Sequence, residues 1–283
     1  MLIRILAVPY DTARRGWRMG AGPEHLLASG LPARLEARGH TVTTTIVEPR
    51  RDAPAEIATA FDLMARIAEE VRGAIGDEAF PLVLSGNCNS AVGTLSGLTP
   101  RERAVFWFDA HGDANTPETT TTGFLDGTGL ATAMGWCWRG LAAQVPGFQP
   151  VPSSQVLLLG ARDLDPEEAS LLDGAGVRCV STAEIAAGGL EIAIAGLPGR
   201  AAAYVHCDLD VLDPAQGRAN PFPVPGGLHI DAAERAMATI GRARPIVAAA
   251  LTAYAPEYDV DGRMLDAALR IVEAIVSAAA IRG

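Results

Sequence analysis

An α/β fold built on a parallel β-sheet is the architecture that this sequence predicts, and two patterns predict it. Short runs of apolar and β-branched residues recur along the chain, separated by longer stretches with apolar residues at helical spacing. The short runs are continuously apolar rather than alternating, as expected for parallel strands that helices cover on both faces. Seven of them are predicted strands, at residues 3–8, 41–47, 82–84, 104–108, 155–159, 203–207 and 246–251.

The segments between the predicted strands supply the helices. Residues 55–75 repeat apolar side chains at a spacing of three or four, from Ile57 to Val71. Residues 264–280 show the same pattern and are expected to form a closing helix. This alternation of strand and helix is typical of crossover connections between parallel strands.

Composition limits the class of protein. The 283 residues are 49% hydrophobic, enough for a buried core, and no linker separates them, so one domain over residues 1–283 is expected. A formal net charge of −10 argues against nucleic acid or an anionic membrane surface as a partner. We find neither an apolar stretch long enough to span a membrane nor a signal peptide, so a cytoplasmic location is expected. The cysteines form no CxxC pair, which argues against a disulfide framework or a zinc ribbon.

Polar sequence follows three of the predicted strands. The segments are PLVLSGNCNS, AVFWFDAHGDANTPETTTTG and AAYVHCDLDVLDP. In parallel sheets the loops beyond the carboxyl ends of the strands converge, and binding sites gather there. Neither GxGxxG nor GxxxxGK[ST] follows a strand, so a nucleotide site is not supported.

Aspartate and histidine alternate in two of these segments. Asp109, His111 and Asp113 directly follow one strand, and Asp208 and Asp210 follow another. Alternate residues of an extended chain project to the same side, so five ligand side chains are expected to converge. Oxygen ligands with one imidazole suit manganese or a similar divalent ion, and a bridging carboxylate can hold two ions. Each motif alone also fits a solvated strand end or a turn, whereas the two together favour a metal site.

Several motifs resemble the arginase/agmatinase (ureohydrolase) superfamily. DAHGDANTPETTTTG is similar to that family's DAHxDxNTPxTTxSG element, HCDLDVLDP resembles its SxDxDxxDP element, and PVPGGL resembles the PxxGGL turn that follows. VPYDTARRGWRMGAGPEHLL and ARDLDPEE extend the resemblance almost from end to end. It implies a three-layer αβα fold with a central parallel sheet of about eight strands. It also implies a small amino-acid-like substrate and a trimeric or hexameric homo-oligomer.

The resemblance further implies a role for each residue of the two motifs. Asp109, His111, Asp113, Asp208 and Asp210 would ligate one or two manganese ions, with Asp109 and Asp208 bridging them. In the family, hydroxide produced from a bridged water attacks the guanidinium carbon, and collapse of the intermediate leaves urea.

Four other residues match positions that hold an amino-acid substrate in the family. Asn115, Thr120 and Thr122 match residues that bind the α-carboxylate, and Asp165 matches the residue that faces the α-ammonium. Alternatively, the threonines satisfy backbone groups of their own loop.

Three positions depart from the family pattern. Cys88, in SGNCNS, stands where the family has a metal-ligating histidine, and a thiolate there would favour Zn²⁺ or Fe²⁺ more than histidine does. Alternatively, this cysteine is structural and the first metal site is weak or empty. Asp126 replaces a proton-shuttling histidine and, with Asp113, is predicted to be catalytic. Ala253 replaces the glutamate that grips the guanidinium, a role that Glu257 could take instead.

These residues predict a metal-dependent hydrolase of a non-peptide C–N bond in a guanidino or amidino amino acid. N-substituted guanidines are included, and a plain arginase activity is not expected because of Ala253. A close alternative is a relative that acts on N-hydroxylated arginine, although Ala253 argues against transferring that activity directly. The alternative from another class is a non-catalytic or regulatory relative that binds an amino acid.

Overall fold

The computed structural model describes residues 1–51, 53, 55–98 and 103–282. Eight strands in these ranges form one parallel sheet, and two more form a short antiparallel hairpin. The strands are β1 (Leu2–Val8), β2 (Tyr10–Asp11), β3 (Arg14–Arg15), β4 (Thr41–Ile46), β5 (Phe80–Ser85), β6 (Arg103–Phe108), β7 (Val156–Leu159), β8 (Arg178–Val180), β9 (Ala202–Asp208) and β10 (Ile246–Thr252). The hairpin is β2-β3, and the parallel sheet has the order β4-β1-β5-β10-β9-β6-β7-β8.

Helices connect the strands and cover the sheet. They are α1 (Gly22–Ala28), α2 (Leu31–Glu36), α3 (Glu56–Gly76), α4 (Ser90–Gly97), α5 (Gly129–Ala133), α6 (Arg139–Ala142), α7 (Pro166–Gly174), α8 (Thr182–Ala186), α9 (Leu190–Gly196), α10 (Ile230–Ala243) and α11 (Arg263–Ala279). Short 3₁₀ turns lie between them, including Asp126–Thr128 and Leu209–Val211. Across the described ranges, no helix is both long enough and apolar enough to cross a membrane.

Alternate residues of the strands belong to two apolar clusters, one on each face of the sheet. In β6, Phe106 and Phe108 belong to the first cluster, whereas Val105 and Trp107 belong to the second. Residues of α10 and α11 join the first cluster, and residues of α3 and α4 join the second. The predicted three-layer αβα arrangement with a parallel sheet of eight strands is therefore confirmed.

The seven strands predicted from apolar runs are all present, and their ends differ from the prediction by at most two residues. The predicted helices at 55–75 and 264–280 correspond to α3 and α11. Strand β8 gave no comparable signal because it has only three residues and begins with the exposed Arg178. Such a short strand does not present a continuous apolar run.

Close packing of α4 on α3 fixes the loop that precedes α4, and this loop carries Cys88. A Cβ atom on Gly93 would lie 2.4 Å from the backbone oxygen of Met64, and one on Gly97 would lie 2.6 Å from that of Ala68. The two helices can approach this closely because neither glycine has a side chain.

We predict that Gly93→Ala destabilises the protein by about 1–3 kcal/mol, because the added methyl group overlaps the α3 backbone. The matched control is Gly76→Ala, at the last residue of α3, where a Cβ meets nothing within 4 Å. Chemical denaturation measures both, and the control should change the free energy of unfolding by less than about 1 kcal/mol. Equal stability of the two variants would contradict the packing argument.

Candidate metal centre

Four neighbouring strands end at one cavity. Strands β5, β10, β9 and β6 lie side by side and run parallel, so their carboxyl ends share one edge of the sheet. The cavity has a volume of about 270 Å³. Its lining comes from the segments after these strands and from nearby loops: Met19, Cys88, Asp109, His111, Asp113, Asn115, Thr121, Thr122, Phe124, Asp126, Gly127, Asp163, Asp165, Glu168, Asp208, Asp210, Asn220, Phe222 and Ala253.

Two groups of three side chains in this cavity have the spacing of metal ligands. Cys88, Asp109 and Asp208 form the first group, and Asp109, His111 and Asp210 form the second. Within each group the ligand atoms lie within 4.8 Å of one another. Asp109 belongs to both groups, so its carboxylate is placed to be shared between two ions.

Close contacts define each group. In the first, the Cys88 sulfur lies 3.0 Å from Oδ2 of Asp208. In the second, Nδ1 of His111 lies 3.3 Å from Oδ1 of Asp109 and 3.3 Å from Oδ2 of Asp210. The contacts of His111 draw both carboxylates towards the same ring nitrogen.

Backbone and side-chain donors orient the aspartates. The His111 amide donates to Oδ1 of Asp109 at 2.8 Å, and Nε1 of Trp107 donates to its Oδ2 at 3.1 Å. The Asp210 amide donates to Oδ1 of Asp208 at 2.8 Å, across the start of the 3₁₀ turn that follows β9. Asn220 donates to Oδ2 of Asp210 at 3.1 Å. The carboxylates are thus held in place before any ligand arrives.

The pKa values of the ligand side chains indicate whether a cation fits this site. Burial, together with the neighbouring carboxylates, raises the pKa of Asp109, of Asp113 and of Asp208 above the usual value. Burial acts to lower the pKa of His111, but its hydrogen bonds to Asp109 and Asp210 raise that pKa to about 12. Buried carboxylates this close together repel one another, and a divalent cation would relieve the repulsion. The donor set therefore fits one or two divalent metal ions.

Asp113 faces the same cavity but lies outside both groups of three. Its backbone has φ of +48°, and its carbonyl oxygen accepts from the amides of Leu130 and Ala131 in α5. Its buried Oδ2 has no hydrogen-bond partner among the described residues. An unpartnered carboxylate oxygen in this position is available to a cation.

Asp126 lines the cavity and also secures the loop that carries Cys88. Its carboxylate accepts from Nδ2 of Asn87 at 2.9 Å, from the Cys88 amide at 3.0 Å and from the Asn89 amide at 2.8 Å. Burial raises the pKa of Asp126 to about 7, although these hydrogen bonds act to lower it. The structure thus gives Asp126 a clear role in holding the loop.

The opposite wall contains most of the residues predicted for substrate binding. Asn115 donates to Oδ2 of Asp165 at 3.0 Å, and Thr122 also lines the cavity. Thr120 does not line it, because its hydroxyl oxygen accepts from the Gly123 amide at 3.0 Å within the loop. Its neighbour Thr121 lines the cavity instead. Thr120 thus makes the loop contact that was the alternative interpretation of the threonines.

An apolar wall surrounds the position where the family pattern has a glutamate. Ala253 is buried and clusters with Met19, and Phe124 packs against this cluster. The rings of Phe124 and Phe222 are 5.8 Å apart, and the edge of the latter approaches the His111 ring. Glu257 is not among the lining residues. This side of the cavity therefore offers apolar surface where the family offers charge.

The sequence did not single out several residues that build the site. Asn220 is one, because a single asparagine in a loop carries no periodic signal. Tyr204 and Thr252 are others: both are buried and form hydrogen bonds with His206. The spacing of Tyr204, His206 and Asp208 along β9 places all three on one face and could have shown part of this set. Burial lowers the pKa of His206 to about 3, so its ring is neutral.

Comparison with known proteins identifies the family. The Arginase family model matches residues 2–277. The chain is 29% identical to an arginase from Bacillus subtilis, with 97% of each chain covered. It is 31% identical to the N(omega)-hydroxy-L-arginine amidinohydrolase of Streptomyces lavendulae, covering 71% of this chain and 70% of that one.

Solved structures give the same result. The crystal structure of Bacillus subtilis arginase superposes with a TM-score of 0.89 at 28% identity, covering 98% of both chains. The native arginase structure from Bacillus caldovelox superposes with a TM-score of 0.87 at 27% identity, covering 96% of this chain and 97% of that one. The chain therefore belongs to the Arginase family.

Proposed function

We propose that this protein is a metal-dependent hydrolase that cleaves a non-peptide C–N bond in a guanidino or amidino amino acid. One observation carries the proposal: two buried ligand groups share Asp109 at the floor of a cavity whose wall presents Asn115, Thr122 and Asp165. The two ligand groups suit metal ions that activate water. The polar wall suits the two charged groups of an amino acid. Membership of the Arginase family, whose curated relatives include arginases and an amidinohydrolase, supports the same reaction class.

The ligand residues define what the metal site would contribute. We infer that Cys88, Asp109 and Asp208 hold one ion and that Asp109, His111 and Asp210 hold the other. Asp113, with its unpartnered oxygen, would complete the set. When bound, such ions lower the pKa of water enough to supply hydroxide near neutral pH. Manganese suits this oxygen-rich set, whereas the sulfur of Cys88 makes zinc or iron an alternative.

The residues on the cavity wall would bind and orient the amino-acid end of the substrate. Asp165 begins α7, and the side chain of Glu168 in the first turn accepts from the Asp165 and Ala114 amides. These contacts tie the loop of Asn115 to α7, so the two polar groups keep a fixed separation. Asp165 would accept from the α-ammonium group, while Asn115 and Thr122 would donate to the α-carboxylate.

Ala253 is the reason to propose a substrate other than arginine. Its methyl group offers no hydrogen bond to a guanidinium, and Met19 and Phe124 pack beside it. An N-substituted guanidine, whose substituent could lie against this wall, or an amidine, with fewer N–H donors to satisfy, suits this wall better. N-hydroxylated arginine is one member of that class.

Three further properties stay predictions from the sequence and the family resemblance. They are a trimeric or hexameric homo-oligomer, a cytoplasmic location and a single domain over residues 1–283. Gel filtration with light scattering measures the first directly.

The proposal is tested by metal analysis combined with product release. After reconstitution with Mn²⁺, we expect two ions per chain, together with urea or ammonia release from one member of a panel of guanidino and formimidoyl amino acids. Asp208→Asn, which removes a ligand charge while preserving shape, should bind fewer ions and lose the release. One ion or none in the wild type, with no release from any compound, would instead support a binding or regulatory protein.

A substitution at position 253 tests the proposed origin of specificity. We predict that Ala253→Glu cleaves arginine at least about 10-fold more efficiently than Ala253→Gln, because only glutamate offers a charged acceptor to the guanidinium. The two variants have the same size and the same positive φ of 61°, so backbone strain cancels in the comparison. The measurement is the ratio of their kcat/KM values for arginine. A ratio near one would contradict the proposal that Ala253 determines the substrate specificity.

A substitution at position 126 separates loop support from proton transfer. Asp126→Asn leaves one acceptor oxygen where two oxygens accept three N–H donors, so we predict a loss of about 1–3 kcal/mol in the free energy of unfolding. Asp173→Asn, on the exposed surface of α7, is the matched control. If Asp126→Asn were as stable as this control but inactive, Asp126 would act in proton transfer alone.

A further inference from the structure

Four buried polar side chains form a hydrogen-bonded series that runs from β9 to the sulfur of Cys88. The Tyr204 hydroxyl lies 3.1 Å from Nδ1 of His206, and Nε2 of His206 lies 3.3 Å from Oγ1 of Thr252. Oγ1 of Thr252 lies 3.1 Å from the Cys88 sulfur. All four side chains are at most 2% exposed, so water does not compete for these contacts. We call these four residues the donor file.

The ring in the middle of the file has a hydroxyl partner at each nitrogen. Nδ1 of His206 faces the Tyr204 hydroxyl and Nε2 faces the Thr252 hydroxyl, so each nitrogen can donate or accept according to the tautomer. Its ring stacks on Trp107 with 3.7 Å between centroids, and Nε1 of Trp107 donates to the shared ligand Asp109. The ring is therefore fixed in position by packing as well as by hydrogen bonds.

The state of the sulfur determines the direction of the remaining hydrogens. A thiol at Cys88 can donate to Oδ2 of Asp208, which lies 3.0 Å away. A cysteine that ligates a metal is a thiolate without hydrogen, so its sulfur can only accept. Thr252 then donates to the sulfur, its oxygen accepts from Nε2 of His206, and Nδ1 accepts from Tyr204. Every donor in the file points towards Cys88.

We propose that Thr252 is a positioning residue for Cys88 as a metal ligand, donating its hydroxyl hydrogen to the sulfur while His206 and Tyr204 hold it in place. This inference rests on the proposed function, because it requires Cys88 to bind metal. The thiolate adds negative charge to a cavity that already contains the carboxylates of the two ligand groups. A hydrogen bond to the sulfur spreads that charge and offsets part of the repulsion.

Besides Nε2 of His206, 3.3 Å away, the hydroxyl of Thr252 has a further acceptor within reach. The backbone oxygen of Cys207 lies 3.4 Å away, longer than the 3.1 Å to the sulfur. A negatively charged sulfur is also the stronger acceptor of the two. Replacement of the hydroxyl by a methyl group would leave the thiolate without this buried donor.

Cobalt binding tests the inference, because Co²⁺ bound to a thiolate gives a near-ultraviolet charge-transfer absorption. We expect Thr252→Val to bind Co²⁺ about 10–100-fold more weakly than the wild type. Its absorption should move to longer wavelength, because a sulfur without the hydrogen bond gives up its electrons more readily. Thr252→Ser, which keeps the hydroxyl, should restore both the affinity and the band.

The matched control removes a buried hydroxyl beside a different cysteine. Oγ1 of Thr132 lies 3.4 Å from the sulfur of Cys137, and neither residue lines the cavity. Thr132→Val should leave the Co²⁺ affinity and the absorption band unchanged. Should Thr252→Val fail to fold, Thr252→Ala removes the same hydroxyl without adding a methyl group next to His206.

Each outcome separates this inference from the proposed function. If the wild type shows the thiolate absorption and neither Thr252→Val nor Thr252→Ala changes it, the inference is overturned. The proposed metal site would still be supported by that absorption. Equal weakening by Thr252→Ser and Thr252→Val would also overturn it, because the role would then be one of packing. If neither the wild type nor Cys88→Ser shows the band, Cys88 does not bind the metal ion, and the inference is overturned.

Discussion

Mutual repulsion among buried carboxylates is the constraint on which the rest of this structure depends. Asp109, Asp208 and Asp210 are all at most 5% exposed and lie in two ligand groups that share a member. Burial and the neighbouring carboxylates raise the pKa of Asp109 and of Asp208. Such charges oppose folding unless cations or donors compensate, as His111 does for Asp210, whose pKa is lowered despite burial. The site supplies compensation from several directions, through the ring of His111, backbone amides and the amide of Asn220.

The parallel sheet makes this concentration of charge possible. The end of each strand and the segment after it supply up to three candidate ligand side chains, and the same segments donate backbone N–H groups to the carboxylates. The polar groups therefore sit at the edge of the apolar layers and not inside them. Close packing of α4 against α3 extends the same rigidity to the loop of Cys88, which no strand carries directly.

The sequence predicted the sheet and the convergence of Asp109, His111, Asp208 and Asp210, because both follow from short periodic patterns. It did not predict β8, whose three residues carry too little apolar signal. Thr120 was expected to hold substrate, but its position in the loop depends on turns that the sequence does not specify. The contact between Cys88 and Thr252 joins residues 164 positions apart, and only the pairing of β5 with β10 brings them together.

The order of strands has a consequence for how the protein matures. The ligand contact between Cys88 and Asp208 spans 120 residues, and the two lie on opposite sides of β10, which is among the last elements of the chain. Each ligand group combines residues at or just after the ends of β6 and β9, so a metal site requires these two strands to pair, and the group that contains Cys88 also requires β5 and β10 to be in place. Contacts this distant in sequence form slowly, and metal present during synthesis cannot template early folding. An ion held by Cys88, Asp109 and Asp208 would therefore report that the four central strands have come together.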